Sequence, residues 1–367
     1  MAISESDVLK AMSGVLDPDL GRSFVEMKMV NNIEIVEDTI KFELTLTTPA
    51  CPLKEVIRKD CENAIHAAFG DNVSLDMRYG SSVTTTRLKG AALLPYVKNI
   101  VAVASGKGGV CKSTITANIA VALARAGASV GIIDADIFGP SIPTMFNCEH
   151  EKPGVAKVGE KSLIEPLERY GVKLLSIGFL APAEGAVVWR GPMASSALRQ
   201  FISDANWGEL DYLLIDLPPG TSDIHLTLVQ TLPVTGAVIV TTPQKVALED
   251  AKKGLLMFKQ DKINVPVLGI VENMAYFTPE ELPENKYHIF GQGGGKALSE
   301  KYDVPLLGEI PIVQGIRESS DNGYPAALKD NSLSKDFKNL AEALASQVAI
   351  RNASKDKTKV VEITTGV

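Results

Sequence analysis

The stretch SGKGGVCKST, Ser105 to Thr114, decides the fold. It matches the pattern G-x-x-x-x-G-K-[ST] except at Cys111, which stands where the second glycine is expected. An apolar run, Asn99 to Ala104, precedes it. A helical pattern follows from Lys112 to Ala126, with Ile115, Ile119 and Leu123 four residues apart and Gly127 as a stop. Strand, glycine loop and helix in that order make such a pattern a phosphate cradle. Backbone N–H groups of the loop and helix N-terminus meet the anion, Lys112 reaches the terminal phosphates, and the Ser113 hydroxyl can hold Mg²⁺. The nucleotide-binding residues expected here are Gly106, Lys107, Gly108, Gly109, Val110, Cys111, Lys112, Ser113 and Thr114.

Cys111 raises two questions. If its backbone must be left-handed, the Cβ costs about 1 to 2 kcal/mol. Charged wholly to binding, the upper figure weakens a site about 30-fold and does not abolish it. Position at a helix N-terminus beside Lys107 and Lys112 favours a reactive thiolate, whereas bound phosphates favour the neutral thiol. Oxidation of Cys111 is accordingly expected to block nucleotide binding.

Outward from the loop, apolar β-type runs alternate with helical patterns: NIVAVA, SVGIID, VKLLSI, DYLLID, GAVIVTT, PVLGIV and VPLLGEI. Runs buried on both faces and separated by helices predict a mainly parallel sheet flanked by helices, an α/β P-loop NTPase. Asp134 and Asp136 follow from the second run at the edge where open α/β sheets collect ligands. Asp216 ends the fourth run before Leu-Pro-Pro-Gly, the usual place of an aspartate that holds Mg²⁺ directly or through water. Pro218, Pro219 and Gly220 shape a loop able to respond to a terminal phosphate.

The first eighty residues read as a separate small α+β domain. Ile40 to Thr47 alternates apolar and polar residues as a half-buried strand does. Val56, Ile57, Cys61, Ala64, Ile65 and Ala68 trace a helical stripe that Gly70 ends. A helix near Asp7 to Val15 and a second strand near Val73 to Met77 complete it. The expected organisation is therefore this domain over residues 1–80, a linker over 81–98, the P-loop domain over 99–351 and a mobile tail over 352–367.

With 367 residues, 45% hydrophobic and 22% charged, the chain has globular composition and length for about two domains. A net charge of −7 and a pI of 5.3 argue against a surface given over to nucleic acid. The N-terminus lacks basic and apolar leader regions, and no run approaches the roughly 18 apolar residues of a membrane span, so a cytoplasmic protein off the membrane is expected. Cys51, Cys61, Cys111 and Cys148 form no Cys-x-x-Cys pair. Cys51 precedes Pro52, which suits a first helical position, and a thiolate is expected there. Cys61 lies on the helix's apolar stripe and reads as core.

In order along the chain, SGKGGVCKST, DADIFGPSIP, WRGPM, DYLLIDLPPGTSD, TTPQKVALED, ENMAYF and IFGQGGG resemble the Mrp/ApbC family of iron-sulfur cluster carriers, within the MinD/ParA-like ATPases. VLDPDLGRSFVEM and LTLTTPACP resemble the small accessory domain of iron-sulfur assembly factors. The resemblance covers roughly residues 1–350. It implies a Mg²⁺-dependent, slow, homodimeric ATP hydrolase that carries or helps assemble clusters for apo-proteins. It makes Lys107 the lysine that reaches the partner's nucleotide, Lys112 and Lys107 the charge stabilisers, and Asp136 the water-positioning carboxylate. Asp134 becomes a partner in the metal's shells beside Ser113 and Asp216, and Asn273 reads adenine.

One feature departs from the pattern. Carriers hold a Cys-x-x-Cys pair between the ENM-x-YF and IFG segments, but Thr278 to His288 contains no cysteine. Glu280, Glu281, Glu284 and His288 are poor replacements for thiolates, so no cluster is expected at the usual place. A cluster held elsewhere would have Cys51 as its best candidate. The other readings are an assembly adaptor that binds no cluster and a nucleotide-switched, partner-binding ATPase of the MinD/ParA kind.

Overall fold

The computed structural model describes residues 3–87, 93–137, 139–180, 191–279, 281–282 and 284–361. Trp189 and Arg190 of the WRGPM motif, Phe138, Glu280 and residues 362–367 lie outside them. The chain divides into two compact units, Met1–Thr85 with Ala349–Lys355, and Thr86–Val348 with Asp356–Val367.

The smaller unit contains α1 (Glu5–Met12), β1 (Val30–Val36), β2 (Thr39–Leu46), α2 (Lys54–Phe69) and β3 (Ser74–Ser81). The strands form one sheet in the order β1-β2-β3, with β2 antiparallel to β1 and parallel to β3. Alternation along β2 buries Ile40, Phe42, Leu44 and Leu46 against Ile57, Cys61 and Ile65 of α2 and Val8 and Met12 of α1. Each such side chain contributes about 1.5 to 3 kcal/mol of apolar transfer. Cys61 is core, as its place on the stripe requires.

Three details of this unit differ from the sequence reading. Helix α1 starts earlier than Asp7 because Ser4 and Asp7 cap each other, Ser4 Oγ donating to Asp7 Oδ2 at 2.6 Å and the Asp7 amide to Ser4 Oγ at 3.3 Å. Strand β1 was not foreseen. Its register breaks between Asn31 and Glu34, Asn32 has φ 54°, and none of its side chains is fully buried, so it lacks a clean two-residue period. Pro52 lies in a turn before α2, whose N-cap is Leu53, and not at the first helical position.

The larger unit begins with β4 (Val97–Ser105), α3 (Lys112–Arg125), β5 (Val130–Asp134), α4 (Ile142–Met145) and the hairpin β6 (Gly154–Val158) and β7 (Lys161–Glu165). It continues with β8 (Leu167–Arg169), β9 (Val172–Ser176), α5 (Gly191–Ser203), β10 (Leu210–Asp216), α6 (Asp223–Thr231), β11 (Gly236–Thr241) and α7 (Lys245–Lys259). It closes with β12 (Val267–Phe277), α8 (Gly294–Tyr302), β13 (Leu306–Ile312), α9 (Gln314–Asp321) and α10 (Ser332–Ser354). The main sheet runs β13-β12-β11-β4-β10-β5-β9-β8. All pairings are parallel except the short edge pair β8–β9.

The seven apolar runs are the seven parallel strands, and the residues of β4, β5 and β10 are buried almost throughout. From β4 the chain crosses over β10 to β5. From β10 it crosses back over β4 to β11. That reversal opens a crevice at the carboxyl ends of β4 and β10, where ligands of such sheets bind. Beyond α10, Thr358 is buried and the Val361 amide donates to the Val229 carbonyl of α6. The stretch read as a mobile tail thus contributes contacts to this unit. No described helix is long and apolar enough to cross a membrane.

Candidate nucleotide site

Strands β4, β5 and β10 deliver their last residues to one edge. Asp216 pairs in register with Asp134, and Asp134 with Ser176 at the end of β9. Lys112 opens α3 beside them, its Nζ 2.9 Å from Asp216 Oδ2 and 3.7 Å from Asp136 Oδ2. Ser113 Oγ donates to Asp216 Oδ2 at 2.6 Å, and Thr116 Oγ1 lies 2.8 Å from Asp216 Oδ1. Lys112, Asp136 and Asp216 are all nearly or fully buried. The loop from Lys107 to Ser113 lines a pocket over this cluster, with Asp136, Ser141, Met145 and Pro219 on its other walls.

Charge defines what the pocket can accept. Three carboxylates face one lysine in a region poor in water. Burial, and then the neighbouring Asp216, push the Asp134 carboxyl well above the ordinary carboxylate range. Asp134 accepts from Ser176 Oγ at 2.8 Å and from the amides of Asp136 and Ile142 at 3.2 and 3.3 Å. These bonds make it the post that orients Asp136 and the start of α4. Ser113 Oγ and the Asp216 carboxylate side by side form a hard oxygen donor pair of the kind Mg²⁺ takes, and the cluster's negative excess favours a cation. Among the described residues no group of three or more His, Cys, Asp or Glu side chains could hold a metal by itself.

The loop's shape follows from its glycines. A Cβ on Gly106 would lie 2.0 Å from the carbonyl carbon of Asp250 and 2.3 Å from the amide nitrogen of Ala251, inside the backbone of α7. Gly109 has φ 81°, and Cys111 is itself left-handed at φ 58°, ψ 41°, as the N-cap of α3. The left-handed case is thus realised at the substituted position. Asn273 is buried on β12, and its Nδ2 donates to the Val110 carbonyl at 2.9 Å. One amide hydrogen of this residue therefore anchors the loop.

Two thiol expectations are corrected. Cys111 is exposed, but desolvation by the surrounding loop raises its pKa where the helix N-terminus and lysines were expected to lower it. Cys51 is half-buried, and burial raises its pKa too, with the Leu53 amide opposing. The amide that opposes the rise is that of the α2 N-cap, so desolvation outweighs the helix start here. Burial pushes Cys61 up to about 12 and Cys148 up to about 11, so both are inert.

Sequence reasoning missed Thr116, Ser176 and His225. Thr116 follows Lys112 by four residues, the spacing that puts two side chains on one helical face, and could have been found. Ser176 ends the third apolar run at the same sheet edge as Asp134, which is a weaker signal. His225 sits in the first turn of α6, just past the Asp216 loop, and only its burial singles it out.

Comparison with known proteins agrees with this geometry. Residues 96–348 match the family described as NUBPL iron-transfer P-loop NTPase, of the ParA type, and residues 5–75 match the iron-sulfur cluster assembly protein family. An iron-sulfur cluster carrier protein of Synechocystis is 45% identical over 346 residues, 94% of this chain and 97% of that one. The chloroplastic Fe-S cluster assembly factor HCF101 of Oryza sativa is 41% identical over 94% of this chain and 64% of its own length. A solved nucleotide-binding protein from Archaeoglobus fulgidus, in complex with ADP, is 43% identical with a TM-score of 0.54, over 63% of this chain and 88% of that one. The chain belongs to the NUBPL-type P-loop NTPases of the ParA kind, with an iron-sulfur cluster assembly domain at its N-terminal end.

Proposed function

We propose that this protein is an ATP-hydrolysing factor of iron-sulfur cluster assembly that serves apo-proteins as a cytoplasmic homodimer. The observation that carries the ATPase reading is the convergence of Lys112 on Asp216 and Asp136 beneath the glycine loop. The iron-sulfur part rests on family membership and on relatives named as cluster carriers or assembly factors.

In this reading the amides of Gly106 to Thr114 and the Lys112 ammonium hold the β- and γ-phosphates. Ser113 and Asp216 would hold Mg²⁺, which supplies charge neutralisation for the phosphates. Asp136 orients the attacking water, Asp134 fixes the turn that carries Asp136, and Lys107 stabilises charge on the partner's nucleotide. Asn273 contacts adenine from β12. Attack of water on the γ-phosphorus breaks its bond to the ADP oxygen, and little covalent help from protein is needed.

The clusters are cargo. Thr278 to His288 offers no thiol, and the four cysteines are dispersed, two of them buried in separate cores. Resident cluster binding at the usual place does not fit these residues, and Cys51 is the remaining half-exposed thiol of the assembly domain. An assembly role without a resident cluster therefore fits best. Lys112→Ala should abolish an ATP turnover that the parent shows; turnover surviving in the variant refutes the site. Anaerobic reconstitution of parent and Cys51→Ala, scored by bound iron and sulfide and by transfer to an apo-protein, tests the cargo. A stable cluster lost in Cys51→Ala would replace the adaptor reading with a carrier one.

A further inference from the structure

Helix α6 begins where the Asp216 loop ends, and its first turn carries a histidine with no place in the chemistry above. His225 is 1% exposed. The Ser222 amide lies 3.2 Å from its Nδ1 and the Ser222 hydroxyl 3.1 Å. An amide N–H can only donate, so Nδ1 is the unprotonated nitrogen and the ring proton sits on Nε2. That Nε2–H is buried and has no acceptor among the described residues. Phe258 of α7 flanks the ring at 6.4 Å between ring centres. Burial brings the imidazole pKa down to about 4, and the charge of Lys112 contributes in the same direction. The ring is thus neutral at neutral pH and within electrostatic reach of the phosphate-binding lysine.

Buried donors in native proteins are nearly always paired, because an unpaired one is costly. Retention of this one is explained if a second arrangement of the protein supplies its acceptor. The adjoining segment, Leu217 to Thr221, is suited to rearrange. It joins the metal-site aspartate to the Ser222 cap and Gly220 has φ 82°; the Leu217 amide holds its start to the Val103 carbonyl of β4 at 3.0 Å, and the Gly220 amide reaches the Ser105 carbonyl, at the start of the glycine loop, at 2.8 Å.

We propose that His225 is a positioning residue for ATP hydrolysis. Its Nδ1 fixes Ser222, and its Nε2–H captures a carbonyl of the Leu217–Thr221 loop when that loop closes on the terminal phosphate of a nucleoside triphosphate. With a diphosphate the loop has nothing to close on and the donor stays unsatisfied. The ring thereby registers the γ-phosphate without touching it. This role rests on the ATPase reading given above.

The test uses the full chain with ¹⁵N-labelled histidine. With Mg²⁺ and a non-hydrolysable ATP analogue, the His225 Nε2–H proton should move downfield and exchange more slowly with water than with Mg²⁺ and ADP. Identical signals in the two states overturn the proposal. As a second measurement, His225→Asn keeps an acceptor near the Nδ1 position and lacks the distal donor. Its kcat should fall about tenfold, the worth of one hydrogen bond made in the transition state, with KM and ADP affinity at parental values. His225→Gln, which restores a distal amide donor, should recover part of that loss. An Asn variant turning over at the parental rate also overturns the proposal. A parent that binds the analogue without hydrolysing it would defeat the ATPase reading, and the two-state spectra would still decide the role of His225.

Discussion

Cys111 adopts a left-handed backbone as the N-cap of α3. The strain belongs to the start of a helix and so falls mainly on folding. Glycine there would relieve about 1 to 2 kcal/mol and give back about 0.5 to 1 kcal/mol in unfolded-state entropy. Cys111→Gly should therefore gain about 0.5 to 1 kcal/mol in urea unfolding, with ADP affinity changed less than about threefold. A large gain in affinity would instead place the strain on binding. His225 makes a prediction of a different kind. Its folded pKa is about 4 against 6.5 for the free side chain, so between those values the unfolded chain takes up the proton. Stability from this residue is fully present above pH 6.5 and is lost as pH falls toward 4, at most about 3 kcal/mol. Unfolding free energies of the parent should fall relative to His225→Asn over that window; parallel curves would contradict the buried, neutral ring. Neither residue's environment was legible in the sequence. The loop pattern located Cys111 and the helix signal located its N-terminus, but the desolvation that raises its thiol pKa comes from tertiary packing.

Gly106 and Gly108 look alike in the sequence and differ in what surrounds them. Methyl growth at Gly106 runs into the α7 backbone, which has no flexible end to yield, whereas a Cβ on Gly108 meets nothing within 4 Å. Gly106→Ala should cost about 3 kcal/mol or more, the upper range of overpacking, and lower ADP binding by displacing α7 or the loop. Gly108→Ala should stay within about 1 kcal/mol of the parent in the same denaturation assay. Equal behaviour of the two would mean that β4 and α7 are not packed as described. Elements buried on both faces announced themselves: seven apolar runs became seven parallel strands because each had to be apolar throughout. The alternating β2 announced itself by its period, but strands with little buried surface did not. The bulged β1, the exposed hairpin β6–β7 and the three-residue β8 carry too little buried surface to leave a period. The Asp134 and Asp216 edge was readable because both end apolar runs, while their register partnership required the sheet order.

The assembled molecule places its chemistry according to topology. The loop with its lysine and the aspartates at 134, 136 and 216 are separated in sequence and meet because the chain reverses its order across β4, so the parallel fold already implied one ligand edge. What no local pattern announced is the return of the chain end. Residues 349–355 belong with the N-terminal unit, and residues 356–361 come back to α6 in the larger one. Composition had marked that stretch only as polar. The two flanks of the long sheet carry a last consequence. At one flank β13 presents Glu309 and Pro311, a charge and a residue without an amide hydrogen. At the other, β8 is three residues long and ends in Glu168 and Arg169. Both borders are thereby poor templates for another strand, the usual protection against amyloid-like stacking. Growth of the sheet by addition of a further strand is thus disfavoured at both of its ends.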